Sequence, residues 1–157
     1  MTALADALIT HVGARDLEDL MRGYTTYEYE VGADAARIVF RVAEEGDQAA
    51  RDLICWAGTE LGEMANAVIR QLEFEKLAFD VVMTGSMFEG GPMLIEPMRE
   101  TIQKVAPKAR LVRLRVPPVI GAAMLGMEAD SCQVTPAIRK TLNETITVLR
   151  NVSVRES

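Results

Sequence analysis

The stretch Phe79-Asp80-Val81-Val82-Met83-Thr84-Gly85-Ser86-Met87-Phe88, residues 79–88, decides the fold class. Residues 79–83 are a short apolar run that stops at a turn signal, which predicts a buried strand ending in a Thr-Gly-Ser turn. Gly90-Gly91-Pro92 then opens a helix expected to reach about Ala106, interrupted or restarted at Pro97. Residues 111–116 predict a second strand. Val112, Leu114 and Val116 alternate there with Arg113 and Arg115, Leu111 falls on the arginine side, and Pro117-Pro118 ends the run. Strand, helix and strand in this order predict parallel pairing through a right-handed crossover, hence an α/β fold. A small-residue helix over 119–127 and an amphipathic helix over 135–148, with Pro136 at its first position, follow.

Upstream of this stretch the pattern is helical. Residues 2–12 carry Leu4, Ala7, Leu8 and Val12 at helical spacing, with Thr2 as N-cap and Gly13 as stop. A short helix fits 16–21. Thr25, Tyr27, Tyr29 and Val31 alternate, which allows a short strand or an extended linker. Residues 33–45 form a helix closed by Gly46, and Asp47 caps the longest helix, 48–73, whose apolar face runs through Leu53, Ala57, Leu61, Met64, Ala65, Val68 and Leu72. The expected organisation is a single domain over 1–157, with a helical segment at 1–46 and an α/β part at 47–157.

Composition narrows the chemistry. The 157 residues carry a net charge of −6, which argues against nucleic-acid binding through phosphate neutralisation and against a polybasic membrane patch. Residues 1–16 have no basic stretch and carry Asp6 within their apolar run, so they do not read as a signal peptide. Two isolated cysteines, Cys55 and Cys132, form neither a disulfide framework nor a CxxC motif, and the expected location is cytoplasmic. The single histidine, His11, excludes His-rich metal sites and HExxH chemistry. The chain has no GxSxG elbow, no phosphate-binding GxxxxGK[ST] loop and no GxGxxG.

Three features remain as candidate sites. Gly85 would let the backbone approach a ligand, and a helix beginning after Ser86 would present free N–H groups; an ordinary strand-to-helix turn uses the same residues. The Gly121-Ala122-Ala123 helix start permits close backbone packing against a helix or a neighbouring domain. Gly58 and Gly62, four apart in the long helix, each cost about 1 kcal/mol relative to alanine, so a second helix or a ligand is expected to approach that face. Asp80, at a strand start, reads as a general base or, more ordinarily, a solvated carboxylate; Trp56 reads as packing. The nine methionines read as adaptable core filler.

The ordered set Gly46-Asp47-Gln48-Ala49-Ala50, Ala57-Gly58-Thr59-Glu60-Leu61, VVMTGSMF at 81–88, Gly91-Pro92 and PPVIGAAMLGME at 117–128 resembles the C-terminal half of the BadF/BadG/BcrA/BcrD-type ATPases. That family includes N-acetylglucosamine kinases and belongs to the actin/hexokinase/Hsp70 superfamily. Residues 2–13 also resemble the helix that follows its phosphate-binding part. The resemblance implies a ribonuclease-H-like, actin-like ATPase C-terminal lobe, helix-rich with a small parallel sheet and incomplete. It implies the adenosine motif at Gly85 and Ser86, with Thr84 and Met87 beside it. Gly121, Ala122 and Ala123 would form the hinge-contacting segment, and Gly58 would face the nucleotide. ATP or ADP is the implied ligand, with Mg²⁺ in the complete enzyme only. The family's Asp-Gly-Gly-type phosphate loop, second phosphate loop and catalytic Asp are absent here, so the chain is expected to be inactive alone and to contribute no catalytic residue. Implied partners are a missing N-terminal lobe or a second copy of the chain, and a sugar in the complete enzyme. The alternative reading is a stand-alone, non-catalytic helical α/β interaction module that dimerises through the Gly58/Gly62 face.

Overall fold

Two strands, β1 (Asp80–Met83) and β2 (Arg110–Arg113), pair in parallel with Asp80 opposite Arg110 and Met83 opposite Arg113. The computed structural model describes residues 1–114 and 116–153. Seven α-helices and a 3₁₀ turn, Ser86–Gly90, complete the described elements: α1 (Ala3–Val12), α2 (Leu17–Thr25), α3 (Ala35–Glu44), α4 (Gln48–Gln71), α5 (Pro92–Val105), α6 (Pro118–Ala129) and α7 (Pro136–Ser153). The helix α5 connects the strands, so the expected β–α–β unit and its parallel pairing are present.

Side chains alternate across a strand, and paired residues share a side. Val81, Met83 and Leu111 therefore lie on the core side, where Met83 is buried. Val82, 55% exposed, and its register partner Val112, 42% exposed, lie on the other. On β2, Leu111 is covered, while Val112 and Leu114 are exposed. Alternation defines two faces without saying which is covered; the register with β1 makes that choice. The strand also stops at Arg113, and Arg115 lies outside the described residues.

Pro97 does not interrupt α5. Pro92 occupies the first turn, where its missing N–H costs nothing, and Pro97 removes one ladder bond while packing towards α4. The two helices meet along a glycine seam. A Cβ on Gly58 would overlap the Leu94 carbonyl oxygen, and one on Gly62 would lie 2.7 Å from Thr101 Cβ. Asn66, fully buried in α4, continues the seam: its Nδ2 donates to the Thr101 carbonyl at 3.0 Å, while its Oδ1 has no partner. Ile54, Ile69, Leu94, Met98 and Ile102 fill the core around this contact.

The helix ends follow their sequence signals. Thr2 accepts from the Ala5 amide, Gly13 adopts φ 73°, and Pro136 is the first residue of α7. Gly46, at φ 108°, closes α3 with the Asp47 amide returned to the Val42 carbonyl. The Asp47 carboxylate accepts from Ala50 N at 2.9 Å and Leu4 N at 3.2 Å, joining the starts of α4 and α1. Residues 25–31 do not form a strand. The α2 helix continues to Thr25, Tyr27 adopts φ 60°, and the Glu28 and Tyr29 amides turn back to the Gly23 carbonyl. Tyr29 lies over Gly23, and its hydroxyl donates to Asp19, which also accepts from the Arg15 and Arg22 guanidinium groups.

Arg15, then Arg22, hold the Asp19 carboxyl well below the usual carboxylate range, and the Ala50 amide lowers Asp47. A carboxylate depressed in the folded state stabilises above its unfolded pKa and loses that contribution as pH falls through the folded value. Urea midpoints should therefore fall on acidification between about pH 4 and pH 2. Asp19→Asn or Asp47→Asn should lower the neutral-pH midpoint and flatten that acid decline.

The chain divides into two compact units, Met1–Arg113 and Leu114–Ser157, and the division falls after β2. Leu4, Ala7, Ile38, Val39 and Phe40 pack against the same core as α4 and α5, which places the N-terminal helices in the first unit. The second unit holds α6 and α7. Among the described residues no helix is long and apolar enough to cross a membrane.

Candidate functional site

Where β1 ends, the chain leaves the core for four residues and then returns. Met83 is buried, Thr84, Gly85, Ser86 and Met87 are exposed, and Phe88 is buried again. Gly85 adopts φ 112° and ψ 158°, a conformation that side chains resist, and nothing lies within 4 Å of where its Cβ would be. Gly91, at φ 72°, closes the segment with the same open surroundings. Between them runs a five-residue 3₁₀ turn, Ser86–Gly90. As the Gly90-Gly91-Pro92 signal predicts, α5 begins at Pro92, where the second positive-φ glycine lets the chain change direction, and the 3₁₀ turn separates its start from Ser86.

The turn is held from three directions. Phe88 enters the core, and the Phe40 ring of α3 lies where a side chain on Gly90 would be. From β2, Arg113 Nη1 donates to the Phe88 carbonyl at 3.3 Å and Nη2 to a Glu89 carboxylate oxygen at 3.1 Å. Among the described residues the Thr84 and Ser86 hydroxyls have no hydrogen-bond partner. Two free hydroxyls and an uncovered glycine backbone form a small polar edge able to receive hydrogen bonds and stacked or edge-on contact from a planar ligand.

The sequence-predicted residues do not all meet. Thr84, Gly85, Ser86 and Met87 are contiguous at the strand end. Gly58 lies beneath α5, which takes up the space that a side chain would need, so a second helix is what approaches it. Gly62 lies in the same seam, which leaves that face of α4 covered by the chain itself. Gly121 and Ala122 belong to the second unit; Gly121 has open space at its Cβ position, so no close packing among the described residues explains it. Among the described residues no three His, Cys, Asp or Glu side chains converge to hold a metal ion. Arg113 is the residue the sequence pattern missed. Strand alternation grouped it with Arg115 and gave it no role, whereas the Met83–Arg113 register and the bonds to Phe88 and Glu89 place it beside the turn.

A parallel β–α–β unit on a helical layer, with an open glycine turn at the carboxyl end of a strand, is the general arrangement by which α/β proteins receive ligands. No family model matches the chain. Over 132 residues it is 26% identical to N-acetyl-D-glucosamine kinase of Dictyostelium discoideum, a match covering 82% of this chain and 41% of that protein. The chain thus spans less than half the length of the curated relative it matches.

Proposed function

We propose that this chain is the nucleotide-binding part of an ATP-dependent sugar kinase or a related actin-like ATPase. The observation that carries this reading is the exposed Thr84–Met87 turn at the carboxyl end of β1, uncovered at Gly85 and with free hydroxyls on both sides. The similarity to a sugar kinase over 82% of the chain supports it. Thr84, Gly85, Ser86 and Met87 would hold the adenosine. Gly58 is left out, because α5 occupies its open side. ATP supplies the phosphoryl group to be transferred, and Mg²⁺ accompanies its phosphates in the complete enzyme; no residue here is assigned to the metal. The chain alone is proposed to be inactive, because phosphoryl transfer needs phosphate-binding loops and a positioned base. Closure of a second lobe would complete the site and exclude water.

Calorimetric titration with ADP tests the reading. Binding in the millimolar range is expected, and Gly85→Val should remove it by filling the open space and forcing valine into a positive φ. No binding by the parent chain, or equal binding by the variant, counts against the site. Sugar phosphorylation by the purified chain would overturn the proposed inactivity.

One observation favours the second reading, a non-catalytic interaction module. The outer face of α4 leaves Trp56 60% and Met64 67% exposed, beside Leu53 and Val68. A concentration-dependent dimer that binds no ADP would support that reading over the first.

A further inference from the structure

The segment Ser86–Gly90 is bounded by two positive-φ glycines, Gly85 and Gly91, neither of which is packed at its Cβ position. Glycines at both ends leave the backbone free to pivot, so contacts from outside the segment must define its shape. The Phe88 ring and the Phe40–Gly90 contact hold its inner side through apolar packing. Among the described residues, Arg113 makes the side-chain hydrogen bonds that reach it from another element, one to the Phe88 carbonyl and one to the Glu89 carboxylate. The Arg113 side chain is 38% exposed and that of Glu89 71% exposed, so this pair adds little to global stability. Its geometry does something else. A planar fork donating in two directions at once fixes the orientation of the turn relative to β2, which a single point charge cannot do. Met83, the register partner of Arg113, is the residue immediately before Thr84.

We propose that Arg113 is the positioning residue of the Gly85 turn: its two-pronged contact with Phe88 and Glu89 sets the turn in the shape that receives the nucleotide. The proposal rests on the nucleotide-binding reading above. Arg113 does not touch the ligand; it acts through the turn.

The test uses the full chain and four proteins: the parent, Arg113→Ala, Arg113→Lys and Glu89→Gln. ADP affinity, melting temperature and amide hydrogen exchange over residues 84–91 are measured for each. Arg113→Ala should weaken ADP binding by about tenfold, the scale of losing a charge-assisted hydrogen bond. It should speed exchange in the turn while leaving the melting temperature nearly unchanged. Arg113→Lys, which keeps the charge without the fork, should recover only part of the affinity. Glu89→Gln, which leaves the Phe88 contact intact, should be the mildest. A merely structural role would lower affinity and melting temperature together and would be rescued by lysine. If the parent binds ADP and Arg113→Ala binds it equally well, or exchange in the turn is unchanged, the positioning role is overturned alone. If the parent binds no ADP, both it and the nucleotide reading fall.

Discussion

Gly58→Ala is expected to destabilise the first unit by about 3 kcal/mol or more, enough to consume much of the stability of a domain this size. Helix propensity alone predicts the opposite sign, a gain of about 1 kcal/mol from replacing glycine in the interior of α4. Packing outweighs it. The new methyl would overlap the Leu94 carbonyl oxygen, and a backbone atom inside α5 cannot move aside as a flexible side chain would. The two helices would have to separate, opening the core around Leu94 and Ile54. Gly126→Ala supplies the control. Gly126 is also interior to a helix, but nothing lies within 4 Å of its Cβ position, so the propensity term should act alone and stabilise α6. Urea unfolding monitored by circular dichroism reads both; a neutral Gly58→Ala would mean that α4 and α5 do not pack as described.

Asn66→Asp is expected to cost about 3–5 kcal/mol at neutral pH, the scale of an uncompensated buried charge. The asparagine contributes one good hydrogen bond, from Nδ2 to the Thr101 carbonyl, and carries an acceptor that nothing satisfies. Aspartate replaces the donor with a second acceptor facing that carbonyl and adds charge in a fully buried position. Burial would raise the pKa of the new carboxyl, so the protonated form, able to donate again, should recover stability as pH falls. Asn66→Leu removes both polar atoms at similar volume and should lie within about 1 kcal/mol of the parent. Denaturant midpoints for the two variants at neutral and acidic pH check the ordering; equal losses at neutral pH would show that shape, and not polarity, governs the position.

Much of the fold was legible because its signals are local. Thr2, Asp47, Gly13, Gly46 and Pro136 mark helix ends through capping chemistry that depends only on neighbouring residues, and each does so in the structure. The β–α–β order followed from two apolar runs separated by a helical one. What was not legible depended on partners distant in sequence. The covered side of β2 is chosen by its pairing with β1, and the segment around Tyr27 is set by Tyr29 folding back over Gly23. Gly58 and Gly62 announced a close approach but could not name what approaches; the answer is α5. For the candidate site, the exposed glycine turn was visible in residues 84–87, whereas Arg113 became visible only when the register placed the end of one strand beside the end of the other.

The parallel pairing also imposes an order of events in time. Asp80 and Arg110 pair although they lie 30 positions apart in sequence, and a parallel pair has no tight hairpin by which to begin. The two strands are expected to come together after the intervening chain has shortened into α5, which lowers the loop-closure cost of pairing them. The glycine seam should therefore form before the sheet, and the Gly85 turn, which needs both strand ends, should take its shape last; φ-values near 1 in β1 with low values in α5 would overturn that order.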